Sequence, residues 1–491
     1  MVEKLEKTRL NYSQAGLGIL VILGIFVFCQ FVGFSLIIPL LVFFLGLHLF
    51  FFNKNCVELF WKLGLLLMLM VVTAFLFVTY FDIPALYIPV ASVAILTALL
   101  FDDLGLSFVM SFLSSALVAL IIQPQLSGVY QHLSAIDLLL IFFLGNLTAA
   151  YTIRDARTRG KFFSTGVCIS VIEVVSLILL HHEMALGMWR EFAFYYIRPL
   201  LLNGLIAALV AISTLKIFEY LFGALTNFSL LELSDKDQPL LKQMSLEAPG
   251  TYHHSMVVSD MSEAAADAIG ANALLTRIGA YYHDVGKTVK PEYFTENQLV
   301  GGNKHDMIEP SMSRLVILNH VKEGMELAKK FKLNPKIIDF IPQHHGTGLM
   351  YYFYQKALEE AESPESVKEE NFRYPGPKPQ SRETAIVLLA DSVEGAVRAM
   401  DDPTPVKIEE TVRKVINNKF IDGQLDECLL TLKEIHRISA TFTRVLSAMY
   451  HGRIKYPGKK NGSDHRNRKQ TEKDSSESQS NPQARKKNPP A

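Results

Sequence analysis

Residues 16 to about 222 consist of long apolar runs, while from about 232 onward charged residues appear at the density of a soluble protein. The mean hydropathy of +0.23 averages these two unlike regions. A membrane-spanning helix needs about 20 mostly apolar residues, with a tolerated range of about 17–25. Eight segments meet that requirement: 16–34, 35–52, 61–80, 84–101, 104–122, 134–151, 162–181 and 198–220. Residues 16–52 carry no formal charge, and only Gly33, Ser35 and Pro39 offer a tight turn between the first two segments, so seven is the alternative count. The N-terminal run far exceeds the ~7–15 apolar residues of a signal-peptide core, so a retained span is expected there.

Basic residues set the orientation. Arg154, Arg157, Arg159 and Lys161 mark a cytoplasmic loop, and residues 123–132 lack Lys and Arg and suit the outside. Two further crossings place everything after Lys216 in the cytoplasm, and eight segments place Lys4, Lys7 and Arg9 there too. A multi-pass protein of the cell membrane is expected, with the lipid bilayer as partner. Glu173 falls inside the seventh segment. A carboxylate at that depth is costly and is a functional candidate by default; the alternative is a protonated side chain, or one hydrogen-bonded to a neighbouring helix such as that carrying Asn146.

The rest of the composition narrows the function. A net charge of +0 gives no signal for a nucleic-acid polymer. Cys29, Cys56, Cys168 and Cys428 are scattered, so neither a disulfide framework nor a zinc–thiolate site is expected. Residues 251–450 read as helical, with no useful alternating pattern: apolar residues recur at helical spacing over 255–270, 383–399 and 434–450. The expected architecture is all-α. A cytoplasmic N-terminus (1–15) precedes a transmembrane bundle (16–222), a linker (223–246), an all-helical cytoplasmic domain (247–456) and a disordered basic tail (457–491). That tail holds nine Lys/Arg against four Asp/Glu (9 − 4 = +5) and too little apolar surface to fold.

Within the helical domain lies the stretch Tyr-Tyr-His-Asp-Val-Gly-Lys, with His283 and Asp284 adjacent. Neighbours in a helix point about 100° apart, so both reach one centre only at a helix end or bend, which Val285-Gly286 supplies. Candidate partners are His254, His320, His344, His345 and Asp391. Asp391 sits in an apolar helical stretch, where an unpaired carboxylate is expensive to bury. A lone His is more often a core or capping residue than a ligand. Five His and two Asp together point to two metal ions. Imidazole and carboxylate without thiolate suit iron, manganese or zinc. Two such ions clamp the attacking and leaving oxygens of a phosphoryl displacement and turn a shared water into the nucleophile. Lys287 is placed to offset charge on a phosphate; its alternative is a solvated lysine at a helix end. His253 competes with His254 on this reading. His305, beside Asp306 in a Gly-rich loop, reads as a loop or substrate-side residue. His436 and His451 read as surface residues.

These stretches resemble the seven-transmembrane HD-domain phosphodiesterases. The similar segments are Glu247–Ser255, Ile278–Lys287, Pro291–Phe294, Gln343–Thr347, Phe372–Gln380 and Leu389–Glu394. The resemblance implies hydrolysis of cyclic di-AMP to linear pApA at two divalent transition-metal ions, iron or manganese. It implies metal ligation by His254, His283, Asp284, His320, His344, His345 and Asp391, with Asp284 bridging, and so selects His254 over His253. Asp284 and Lys287 are the expected catalytic residues. Lys287, His305, Tyr351 and Tyr352 are candidate substrate contacts, core packing being the alternative for the two tyrosines. The family pattern has a large extracytoplasmic domain between its first span and the next seven; here that domain is expected to be absent near Gly33–Ser35. The alternatives are an HD hydrolase acting on cyclic di-GMP or a ppGpp-type nucleotide, a receptor that only binds nucleotide, and a di-iron oxygenase. The Gly-Tyr-Pro signature of the cyclic di-GMP group is absent, since Gly-Thr-Gly follows His345. A homodimer is left open.

Overall fold

The structure, a computed structural model, describes residues 56–81, 83–122, 128–298 and 304–450. The expected spans at 16–34 and 35–52, the N-terminus 1–15 and the tail 457–491 lie outside these residues. Among the described residues the chain is all-α, without a β-strand. Five helical stretches are long and apolar enough to cross a membrane: Glu58–Thr79, Leu104–Ile122, Ala135–Ile153, Arg159–Leu180 and Trp189–Phe222. The longer helices of this half are α1 (Cys56–Thr79), α2 (Ala91–Phe101), α3 (Leu104–Ile122), α4 (Ala135–Ile153), α5 (Arg159–Leu180) and α6 (Arg198–Phe222). The chain is a membrane protein.

The segment expected at 84–101 is broken. Its first part is a single 3₁₀ turn, Ala85–Tyr87, and its helix begins only at Ala91. Pro84 and Pro89 explain the break, because proline removes an N–H and clashes with the preceding turn. At ~1.5 Å per residue α2 is about 16 Å long, too short to cross alone. Every residue from Ala91 to Leu100 is buried, which is where a helix apolar on all sides belongs. The carbonyls freed by the break are satisfied from α6: Asn203 Nδ2 donates to Leu86 O at 2.8 Å and to Ile88 O at 2.9 Å. Lipid offers no substitute partner for such groups.

Residues expected to form a linker carry two helices, α7 (Asn227–Leu233) and α8 (Pro239–Glu247). Thr226 caps α7, its hydroxyl accepting from the Phe228 and Ser229 amides. The following domain comprises α9 (Pro249–Ile269), α10 (Ala273–Tyr282), α11 (Pro310–Lys330), α12 (Tyr351–Glu360), α13 (Arg382–Arg398), α14 (Pro405–Ile421) and α15 (Leu432–Met449). It has two apolar cores. One gathers Val258, Met261, Leu389, Val393, Val412 and Phe442 from α9, α13, α14 and α15. The other gathers Leu241, Met244, Ile278, Tyr282, Val321 and Ile341 around α8, α10 and α11. The connection to the membrane half is specific: Asn334 Nδ2 donates to Gly223 O, at the end of α6, at 3.0 Å.

Candidate metal centre

α10 ends at Tyr282, and His283 caps it with helical dihedrals. Asp284 then leaves the helix (φ −107°, ψ 12°), and Val285–Val289 winds into a 3₁₀ turn. This bend lets the adjacent pair converge. Gly286 makes it possible, since a Cβ there would lie 1.8 Å from the His320 carbonyl oxygen on α11. The remaining groups come from other elements. His254 lies one turn into α9, and Asp391 lies inside α13. His320 is mid-helix in α11, which runs on to Lys330. His344 and His345 follow two single-turn helices, Pro335–Ile338 and Phe340–Gln343.

Asp284 belongs to two groups of potential ligands. One is Asp284, His320, His344 and His345; the other is His254, His283, Asp284 and Asp391; within each, the ligand atoms lie within 4.8 Å of one another. The carboxylate divides between them. Oδ1 is 3.5 Å from both His320 Nε2 and His344 Nε2. Oδ2 is 3.2 Å from His283 Nε2 and 3.5 Å from His254 Nε2. Asp391 faces His254 Nε2 at 3.0 Å and His345 Nδ1 at 3.9 Å.

The outer nitrogen of four rings is already spoken for. His283 Nδ1 donates to Ala280 O at 2.7 Å, His344 Nδ1 to Phe340 O at 3.2 Å, and His320 Nδ1 to Ile317 O. His254 Nδ1 donates to Glu394 Oε2 at 2.7 Å. A donor N–H fixed on the outside leaves the Nε2 lone pair aimed inward, the tautomer a metal ligand needs. Among the described residues, Nε2 of His283, His320, His344 and His345, and Oδ1 of Asp284, are buried without a hydrogen-bond partner. Buried polar atoms normally have partners, so this inward set fits divalent cations.

Electrostatics point the same way. Burial pushes the Asp284 carboxyl up, but the Lys287 ammonium and the His283 imidazole hold it well below the usual range. Burial pushes His283 down, yet Asp284 and Asp391 carry it up to about 10, so this pocket draws positive charge to itself. On the other side, burial takes His320 down to about 3, and burial with the neighbouring His344 ring keeps His345 well below its ordinary value. Those two rings stand neutral, as ligands must. Lys287 reaches Asp284 Oδ2 at 2.7 Å and Glu296 Oε1 at 2.9 Å. These carboxylates overcome burial and keep the ammonium charged.

A cavity of about 440 Å³ opens beside the centre, lined by Lys287, Tyr293, His305, His345, Tyr352 and Tyr374 among others. Of the expected substrate contacts, Lys287, His305 and Tyr352 reach this cavity, while Tyr351 is outside its lining and 67% exposed. His305 is buried, its Nε2 donating to Tyr293 O at 2.8 Å. His253 and His436 are exposed away from the centre, and His451 lies outside the described residues. Sequence reasoning passed over Glu394, Glu296 and Tyr374. Glu394 follows Asp391 by one helical turn, so the shared face was a usable signal. Glu296 and Tyr374, whose ring stacks on His345 at 4.1 Å, are brought in by tertiary folding alone.

The comparisons with known proteins agree with this division. Residues 28–226 match the family described as a 7TM receptor with intracellular HD hydrolase, and residues 251–396 match the HD domain. The chain is 38% identical over 400 residues to the protein named cyclic-di-AMP phosphodiesterase PgpH of Bacillus subtilis (strain 168), covering 80% of this chain and 54% of that protein. It is 42% identical over 334 residues to the protein of the same name from Listeria monocytogenes, covering 67% of this chain and 46% of that protein. The chain thus spans about half the length of these curated relatives. A solved structure of the L. monocytogenes PgpH HD domain in complex with cyclic-di-AMP is 49% identical, covering 44% of this chain and 100% of that one, with a TM-score of 0.43. The chain belongs to the 7TM receptors with an intracellular HD hydrolase.

Proposed function

We propose that this chain is a membrane-anchored phosphodiesterase that hydrolyses cyclic di-AMP to pApA with two divalent ions, iron or manganese. The observation that carries the reading is Asp284, whose two oxygens face two separate sets of inward-aimed imidazoles. His320, His344 and His345 would hold one ion, His254, His283 and Asp391 the other, and Asp284 both. Two ions so held supply Lewis-acid activation of a water and charge stabilisation at phosphorus. Lys287 stands at the cavity wall with its ammonium fixed by two carboxylates, positioned to meet a phosphate oxygen. Tyr293, Phe294, Tyr352 and Phe353 give the cavity aromatic walls on which purine rings can stack. The names of the two relatives favour an adenine dinucleotide over other nucleotides. The basic turn Arg154–Lys161 supports a cytoplasmic hydrolase domain under the positive-inside rule.

The test uses the full chain in detergent, loaded with Mn²⁺ or Fe²⁺ and supplied with cyclic di-AMP, cyclic di-GMP or ppGpp. Release of pApA from cyclic di-AMP alone is the expected result. Cleavage of none of the three, or an Asp284→Ala variant as active as the parent, overturns the proposal. Binding without cleavage makes the chain a nucleotide receptor.

A further inference from the structure

We infer that the membrane half contains a binding site for one compact positive charge, an alkali-metal ion or a proton, at Glu173. The site is separate from the hydrolase centre and stands independently of the proposed activity.

Glu173 lies on α5, seven residues before its end, or about 10 Å along the axis. It is 0% exposed, and among the described residues both carboxyl oxygens are buried without a hydrogen-bond partner. The sequence points to Asn146 as a natural partner, and the structure gives Asn146 other work. Its Nδ2 donates to Ser114 Oγ at 3.1 Å and Ser115 Oγ at 2.9 Å, on α3. The carboxyl instead rests on the next residue along α4, Gly145, where a Cβ would lie 2.6 Å from Glu173 Oε1. That glycine leaves room for the carboxyl and offers it no side-chain donor. Asn146 Oδ1 is itself buried and, among the described residues, without a hydrogen-bond partner, so it adds a second unmatched acceptor to the membrane half.

α5 packs on α4 and α6. Their charged residues stand towards the helix ends: Asp137 on α4, Arg198, Lys216 and Glu219 on α6, Arg159 and Lys161 on α5. The ion pairs these residues form go elsewhere: Asp137 faces His181, and Lys216 faces Glu219 and Glu232. An ionised carboxylate enclosed by apolar helices costs several kcal/mol unless a positive charge joins it. Among the described residues the side chains of this bundle supply none to Glu173, so the neutralising charge comes from solution. Acceptor atoms without donors are the chemistry of a cation site.

Dicyclohexylcarbodiimide, an apolar reagent that adds to protonated carboxyl groups, tests this on the full chain in detergent. Peptide mass mapping reads the modification at Glu173, with exposed Glu191 as reference and Glu173→Gln as the blank. Labelling suppressed severalfold by Na⁺ or K⁺, but not by choline at equal ionic strength, identifies an alkali-ion site. Labelling that falls with rising pH and ignores the ions identifies a proton site. No labelling at Glu173 under any condition, or labelling indifferent to both ions and pH, overturns the inference. These readouts are taken on the parent chain, so they hold even if the Gln variant fails to fold.

Discussion

Two carboxylates, one in each half of the molecule, are buried to the same degree and surrounded in opposite ways. Asp284 is 1% exposed and faces four imidazole nitrogens and the Lys287 ammonium. Glu173 is 0% exposed and rests on a glycine. Burial alone therefore says little about what an acid does. In the hydrolase half, other elements aim ligands at the same point, and the carboxylate is one member of a set. In the membrane half, the neighbour has no side chain, and the carboxylate is left for a mobile charge. The first arrangement suits ions held through turnover, the second a species that comes and goes.

Substitution can break that contrast, and the largest effect belongs to the shared ligand. Asp284→Ala should lower turnover by at least about 10³-fold and strip both ions, as read by assay and by metal analysis of the purified chain. EDTA treatment of the parent should reproduce that loss, with Mn²⁺ restoring it. Next comes the glycine behind the bend. Gly286→Ala puts a methyl against the His320 carbonyl and should destabilise the hydrolase domain by about 2–4 kcal/mol, seen in thermal unfolding of the full chain. Glu394→Ala, which frees the outer nitrogen of His254, should weaken metal affinity about 10–100-fold while the fold persists. Glu394→Gln should recover part of that loss, because its amide oxygen still accepts. On the membrane side, Asn203→Ala leaves the Leu86 and Ile88 carbonyls bare and should cost about 1–2 kcal/mol, measured by detergent-denaturation midpoints. The smallest contrast is between adjacent tyrosines. Tyr352→Ala should raise KM severalfold, and Tyr351→Ala should leave it within about twofold, since only Tyr352 lines the cavity.

Much of the candidate centre was legible because the residues that meet there lie in short local patterns. The His283-Asp284 pair followed by Val-Gly announces a bend, and helical periodicity places Asp391 on a buried stretch. What hid was whatever depends on distance in space. Glu296 reaches Lys287 only after the turn at Thr295–Asn297 folds back against the start of α9. Tyr374 stacks on His345 from a loop that has no periodicity to read. In the membrane half, hydropathy sees the composition of 84–101 but not the consequence of Pro84 and Pro89, which interrupt the segment before its helix begins at Ala91.

The side-chain amide of Asn334 is planar, so its two ends cannot be adjusted separately. One end, Oδ1, accepts from the Lys336 amide and starts the turn at Pro335–Ile338; the other, Nδ2, holds the Gly223 carbonyl at the foot of α6. That turn runs through Phe340–Gln343 directly into His344 and His345. A shift of α6 that keeps this hydrogen bond must therefore carry the turn with it, so one rigid group joins the foot of a membrane-half helix to the His344–His345 pair.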